Sequence, residues 1–164
     1  MHVEVRPAMG ADAGAIVNIL NSIIEAGVYT AFDTQFSVDT ERHYLETLPA
    51  RGIFHVAVAA NRVVGFQSME PFATYTHAHD HVGVMGTYVD LPYRRQGVGS
   101  ALFEATFEAA RRKQYEKLFT YILVHNAPAL RAYIKHGFSI VGTARRHAKI
   151  RNNYVDVLVV ERLL

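Results

Sequence analysis

The segment Arg94-Arg95-Gln96-Gly97-Val98-Gly99-Ser100 combines what an anionic ligand requires. Gly97 and Gly99 let the main chain approach a guest closely and tolerate positive φ, where a side chain would clash. Their N–H groups, with the unpaired N–H groups at the start of the helical pattern that follows, form a cradle for phosphate oxygens. Arg94, Arg95 and the carboxamide of Gln96 add charge and donors beside it. A pyrophosphate is the expected guest. The segment is no Walker A loop, since no Gly-Lys-Ser/Thr closes it, and no dinucleotide fingerprint, which has three glycines near the N-terminus and an acidic residue about 20 positions on.

Other residues invite chemistry. Tyr133 lies in the middle of an amphipathic pattern, where a tyrosine is ordinarily a core residue with a satisfied hydroxyl; a phenol is also a proton donor at neutral pH. Asn126 stands where it caps the short helix that follows. His77-Ala78-His79-Asp80-His81 places alternate imidazoles on one side of an extended segment, but is one residue short of the H-x-H-x-D-H pattern of metal hydrolases. A histidine-rich loop at the mouth of a site is the simpler reading, and no metal is expected. Arg145, Arg146, His147, Lys149 and Arg151 form the densest basic run; without interleaved aromatics it reads as a solvated hairpin face rather than a nucleic-acid surface.

The elements that position these residues follow from periodicity. His2 to Arg6 alternates and stops at Pro7. Ile16, Ile19, Leu20, Ile23 and Ile24 recur at helical spacing, with Asp12 placed to cap the start and Gly27 the end. A second helix follows Asp39, turns Tyr44, Leu45 and Leu48 inward and stops at Pro49. Phe54, Val56 and Val58 alternate before Asn61–Arg62, and Val63 to Met69 resumes, which predicts a hairpin. Pro71 to Asp80 reads as a loop or a weak strand, Val82 to Val89 as a strand, Val98 to Gln114 as a long helix and Leu118 to Val124 as a strand. Ala127 to His136 is a short helix ended by Gly137. Phe138 to Val141 and Val155 to Val160 are the last strands. The order β-α-α-β-β-β-α-β-α-β-β predicts an α/β fold with a mixed sheet.

Composition agrees with one domain over residues 1–164. Half the 164 residues are apolar and 20% are charged, which excludes a disordered chain, and a net charge of +2 is too small to indicate nucleic acid by itself. Zero cysteines exclude a disulfide framework and a thiolate nucleophile and suit a reducing compartment, so a cytoplasmic location is expected. No apolar run approaches a membrane span and the N-terminus lacks a signal-peptide core, so no membrane partner is expected.

Arg94-Arg95-Gln96-Gly97-Val98-Gly99 resembles the R/Q-x-x-G-x-G/A motif of the GNAT superfamily of acetyl-CoA-dependent N-acetyltransferases. Asn126-Ala127-Pro128-Ala129-Leu130-Arg131-Ala132-Tyr133-Ile134-Lys135-His136-Gly137-Phe138 is similar to that family's N-x-x-(A/S)-x-x-x-Y-x-x-x-G-F block. Ile19-Leu20-Asn21, the Gly65 strand, the Gly137-Phe138 step and Tyr154-Val155-Asp156-Val157 most resemble its phosphinothricin and methionine sulfoximine acetyltransferase branch. The likeness covers nearly the whole chain. It implies a mainly antiparallel sheet splayed between its central strands with helices on both faces. It implies pantetheine in the opening, paired through the main chain of Thr87, Tyr88 and Val89 like an added strand. Arg95 to Ser100, Val98 included, would hold the pyrophosphate, Asn126 would bond the pantetheine arm, and Tyr133 would protonate the departing thiolate. The expected reaction is direct transfer of an acetyl group to a primary amine of a small molecule in a ternary complex, by a homodimer. Acetylation of a protein N-terminus or lysine, and a CoA-sensing module without turnover, are the alternatives.

The sequence departs from that branch at one position. Its pattern E-x-S-(I/V)-Y-V is met by Val84-Met85-Gly86-Thr87-Tyr88-Val89, so valine stands where the branch has a carboxylate. The remaining candidates for the base are Glu70, Asp80 and His81, with His81 favoured among them because an imidazole accepts protons at neutral pH; the alternative of equal weight is a solvent-exposed loop histidine, with the proton leaving through water. The acceptor pocket is expected from Gly27 to Phe36 and Phe72 to His81.

Overall fold

The computed structural model describes residues 1–164. In chain order its strands are β1 (Glu4–Pro7), β2 (Ile53–Ala59), β3 (Arg62–Pro71), β4 (Val82–Val89), β5 (Lys117–Leu123), β6 (Ser139–Ile150) and β7 (Asn153–Leu163). The helices are α1 (Ala13–Ala26), α2 (Val38–Glu46), α3 (Val98–Arg112) and α4 (Ala127–Lys135). The strands form one sheet in the order β1-β2-β3-β4-β5-β7-β6, antiparallel everywhere except between β4 and β5.

Strand alternation sends the helices to opposite faces. Phe54 and Val56 of β2 and Phe66 of β3 pack with Ile16, Ile19, Leu20, Ile23 and Ile24 of α1, while Tyr44 and Leu45 of α2 lie against the same cluster. Met69 of β3, Met85 of β4 and Leu118 of β5 face the other way and pack with Phe103 and Phe107 of α3 and Tyr133 of α4. Gly27 ends α1 at φ 73°, its N–H donating to Ile24. Ala60 and Asn61, at φ 47° and 60°, make the two-residue turn between β2 and β3, the left-handed pair that suits a twisted hairpin.

Two sequence expectations are corrected. Asp12 does not cap α1 with its side chain; it forms a bidentate pair with Arg6 (2.8 and 2.9 Å) and accepts the N–H of Met9, so it ties β1 to the turn before the helix. The last two strands run far past Val141 and begin before Val155. Most of β6 is exposed, so it carries no apolar alternation to read, and breaks in register at Ile140/Gly142 and Ala144/Ala148 interrupt the period further. The basic run does lie on this hairpin, where Arg146 and Lys149 stack on Tyr154.

His55 of β2 is 8% exposed and hydrogen-bonds Thr106 of α3 through Nδ1 at 2.9 Å. Burial, with help from Arg112, lowers its pKa below the usual histidine value. The unfolded chain therefore takes up a proton near pH 6.5 that the folded chain refuses, and stability falls as pH drops through that range. We expect the unfolding midpoint in urea to decrease between pH 7 and pH 5, and His55→Gln to flatten that dependence.

Candidate active site

β4 and β5 pair only through Val82–Lys117, Gly83–Leu118 and Val84–Phe119. Beyond these, Met85–Val89 and Thr120–Leu123 continue without pairing to each other, so the sheet opens between its two parallel strands. β3 occupies one edge of β4 as far as Val89. The other edge of Thr87, Tyr88 and Val89 faces the opening with no strand against it, a place where an extended amide-bearing ligand can add as a strand.

The phosphate cradle lies at the mouth. Tyr93 and Arg94 donate their N–H groups to Asp90 and Leu91, and the next main-chain donor is Ala101, to Gly97. None of the N–H groups from Arg95 to Ser100 is used within the protein. Arg95 and Gly97 hold positive φ, 61° and 88°, which turns this run of donors into the helix start. A Cβ on Gly97 would meet nothing within 4 Å, and one on Gly99 only Val89 Cγ2 at 3.9 Å, so the space before the cradle is open. Val98 is buried and packs with Leu102, Ala57 and Val64, which fixes α3 to the sheet. A pyrophosphate fits: unused donors, open space and the exposed Arg95 converge there.

Arg94 and Gln96 are committed elsewhere. The Arg94 guanidinium stacks on Tyr29 at 4.1 Å and donates to the Val89 carbonyl at 3.3 Å, while Gln96 donates to Pro92. Asn126 caps α4, accepting from Ala129 at 3.2 Å, and donates to the Tyr29 carbonyl at 3.0 Å. Tyr29 thus bridges the far ends of β4 and β5.

Tyr133 sits at the closed end of the opening. Its hydroxyl is 2.8 Å from Thr87 Oγ1 on β4, and Gln67 on β3 donates to the same oxygen at 2.7 Å. Burial raises the pKa of the phenol above the ordinary tyrosine value; the hydroxyls of Thr87 and Thr120 partly offset this and Tyr88 adds to it. The group is therefore a proton donor throughout the neutral and mildly alkaline range. Sequence reasoning missed Gln67 and the Thr87 side chain, although threonine where the branch has Ile or Val was a signal. Gln67 is fully buried and its Oε1 has no partner.

His81 is not brought to this place. It precedes β4 at the paired end, six residues before Thr87, about 20 Å along an extended strand. Its carbonyl accepts the N–H groups of Glu116 and Lys117, and its neighbours in a cavity of about 800 Å³ are Arg51, Asp80 and Tyr115. Asp80 shares that location. The histidine segment is not extended: His77–His79 is one tight helical turn, with His77 paired to Asp80 at 2.9 Å and His79 edge-on to Phe72.

Residues 20–138 match the model of the Acetyltransferase (GNAT) family. The chain is 28% identical over 156 residues to the phosphinothricin N-acetyltransferase of Streptomyces viridochromogenes, covering 94% of this chain and 84% of that one. It is 33% identical over 84 residues to the L-amino acid N-acetyltransferase AaaT of Escherichia coli; that match spans 51% of this chain and about half (52%) of AaaT. A phosphinothricin acetyltransferase from Sinorhizobium meliloti, solved in complex with acetyl-CoA, superimposes with a TM-score of 0.91 over 100% of this chain and 89% of the other, at 19% identity. An opening between β4 and β5, a cradle at its mouth and a matching family model leave one assignment: the chain belongs to the GNAT family and is an acetyl-CoA-dependent N-acetyltransferase.

Proposed function

We propose that the enzyme transfers the acetyl group to a primary amine of a small molecule by direct attack in a ternary complex, as a homodimer in the cytoplasm. The observation that carries the reading is the opening itself, with unused phosphate donors at its mouth and the Tyr133 hydroxyl at its closed end. Acetyl-CoA supplies the activated acyl group. Thr87, Tyr88 and Val89 offer main-chain groups to the pantetheine arm, and a main-chain N–H near Val89 serves the carbonyl oxygen as negative charge develops on it. Tyr133 gives its proton to the departing sulfur. Holding both substrates at contact distance supplies the remaining acceleration. A small acceptor is supported by relatives named for phosphinothricin and for L-amino acids. No helix is long and apolar enough to cross a membrane.

The test is release of free CoA thiol from acetyl-CoA over a panel of small amines, amino acids and peptides, with the acetylated product identified by mass spectrometry. Turnover of small amines at rates above those of every peptide is expected. Peptide preference would shift the assignment to protein acetylation, and binding without any thiol release would make the chain a sensor.

A further inference from the structure

The valine that replaces the branch's carboxylate has a carboxylate beside it. Glu70 of β3 is the cross-strand partner of Val84. By strand alternation both lie on the sheet face that carries α1 and α2, together with Ser68, Gly86 and Tyr88. The Tyr88 ring folds back along its strand: a Cβ on Gly86 would lie 3.1 Å from Tyr88 Cε2 and 3.4 Å from its hydroxyl. From α2, Tyr44 donates a hydrogen bond to Glu70. One turn earlier on the same helix Glu41 points inward. It is 6% exposed, the most buried residue of α2, and its carboxyl has no partner within the protein, its oxygens keeping a narrow contact with solvent. Burial raises the pKa of Glu41 and, as the main cause, those of the Tyr44 and Tyr88 phenols, Tyr88 to about 12; the bond to Glu70 adds to the rise of Tyr44, and the Glu41 carboxylate adds a smaller part to both phenols.

A carboxyl so largely taken out of water, with no cation or donor from the protein, is poorly compensated until one joins it. The cations nearby do not serve it. Arg42 pairs with Asp39, Arg94 is held by Tyr29 and the Val89 carbonyl, and His79 packs on Phe72. β4 contributes no charged side chain between Val82 and Val89. Two carboxyls and two phenols therefore gather on this face without a positive charge. Tyr88 directly follows Thr87 on β4, whose hydroxyl lies 2.8 Å from that of Tyr133, so the group borders the reaction centre across the strand.

We propose that Glu41, Glu70, Tyr44 and Tyr88 form the subsite for the acceptor's ammonium group, and that the acceptor is a primary amine with no carboxylate next to its nitrogen. The inference rests on the acetyl-transfer reading. The ammonium binds between the carboxylates and gives one proton to Glu41, which passes it to solvent. The nitrogen lone pair forms the N–C bond as the C–S bond breaks and the sulfur leaves with its electron pair. Tyr133 protonates the sulfur and is reprotonated by the second proton lost from nitrogen. An α-amino acid would bring its own carboxylate into an acidic pocket with no arginine or lysine bonded to either glutamate.

The test compares matched pairs that differ only by the carboxylate: isopentylamine against L-leucine, 3-(methylthio)propylamine against L-methionine, and tyramine against L-tyrosine. In the wild type the amine of each pair is expected to have kcat/KM at least about tenfold higher. Glu41→Gln is expected to lower kcat about 100-fold, the scale of a lost general base, while raising the unfolding temperature because a largely desolvated charge with no protein partner is gone. Glu70→Gln is expected to narrow the amine preference. Preference for the amino acids, or pair ratios unchanged in both variants, overturns the subsite and leaves acetyl transfer standing. If no acceptor releases thiol, the transfer reading fails. Calorimetry of the same amines on acetyl-CoA-loaded protein then decides the subsite alone: binding of the amines over the amino acids supports it, and no such preference overturns it.

Discussion

Gly99→Val should lower acetyl-CoA affinity by at least about tenfold, or 1.4 kcal/mol, in a protein that remains folded. Gly99 lies in the first turn of α3, and an added Cβ there contacts only Val89 Cγ2, at 3.9 Å. The valine side chain would therefore enter the open space where the main-chain donors of Arg95 to Ser100 converge, not the core. Its φ is not in the left-handed region, and valine is no worse than glycine in a helix, so stability should hold. Gly97 is the poorer choice, since at φ 88° any side chain adds backbone strain to the loss of the ligand. Calorimetric titration beside a thermal melt checks both halves of the expectation. Unchanged affinity in folded Gly99→Val would remove the pyrophosphate from this loop.

Tyr133→Phe is expected to reduce kcat about 100-fold while acetyl-CoA affinity changes less than about twofold, because the hydroxyl acts on the leaving sulfur. The ring itself stays: Phe103 and Phe138 meet it edge-on at 5.0 and 4.9 Å, contacts a phenylalanine retains. Thr87 keeps its hydrogen bond from Gln67 in the variant, so the change is confined to one hydroxyl. Since burial holds the Tyr133 pKa above its ordinary value, the wild-type rate should not begin to fall near pH 10 on account of this group. Steady-state kinetics with separate kcat and KM, followed from pH 6 to about 11, test both expectations. Full activity in the variant would return Tyr133 to the core.

Much of this was legible before any coordinates. The four isoleucines and the leucine of α1 are all buried, Gly27 ends the helix as a left-handed cap, and the element order holds from end to end. Apolar periodicity reports which face is buried, and it succeeds wherever one face is. It fails on β6, which is exposed on both sides. It also fails for single polar residues turned inward. Glu41 reads as surface in a helix of low hydrophobicity, and Gln67 interrupts an apolar strand without announcing that Thr87 lies opposite. Long-range pairing is likewise outside what spacing contains. Proximity of His81 to the acceptor loop in sequence suggested a base, but the strand carries it to the paired end of β4, away from Tyr133. Glu70, equally visible in the sequence, gains its interest only from the register that sets it opposite Val84.

The central claim is that acetyl-CoA lies between β4 and β5 with its pyrophosphate on the start of α3. Amide hydrogen exchange with and without acetyl-CoA addresses it directly. The ligand is expected to slow exchange in Met85–Val89 and in Arg95–Ser100, whose N–H groups the protein leaves unused, and to leave His77–His81 at the paired end unchanged. Protection absent from both segments, with the ligand bound, would contradict the account.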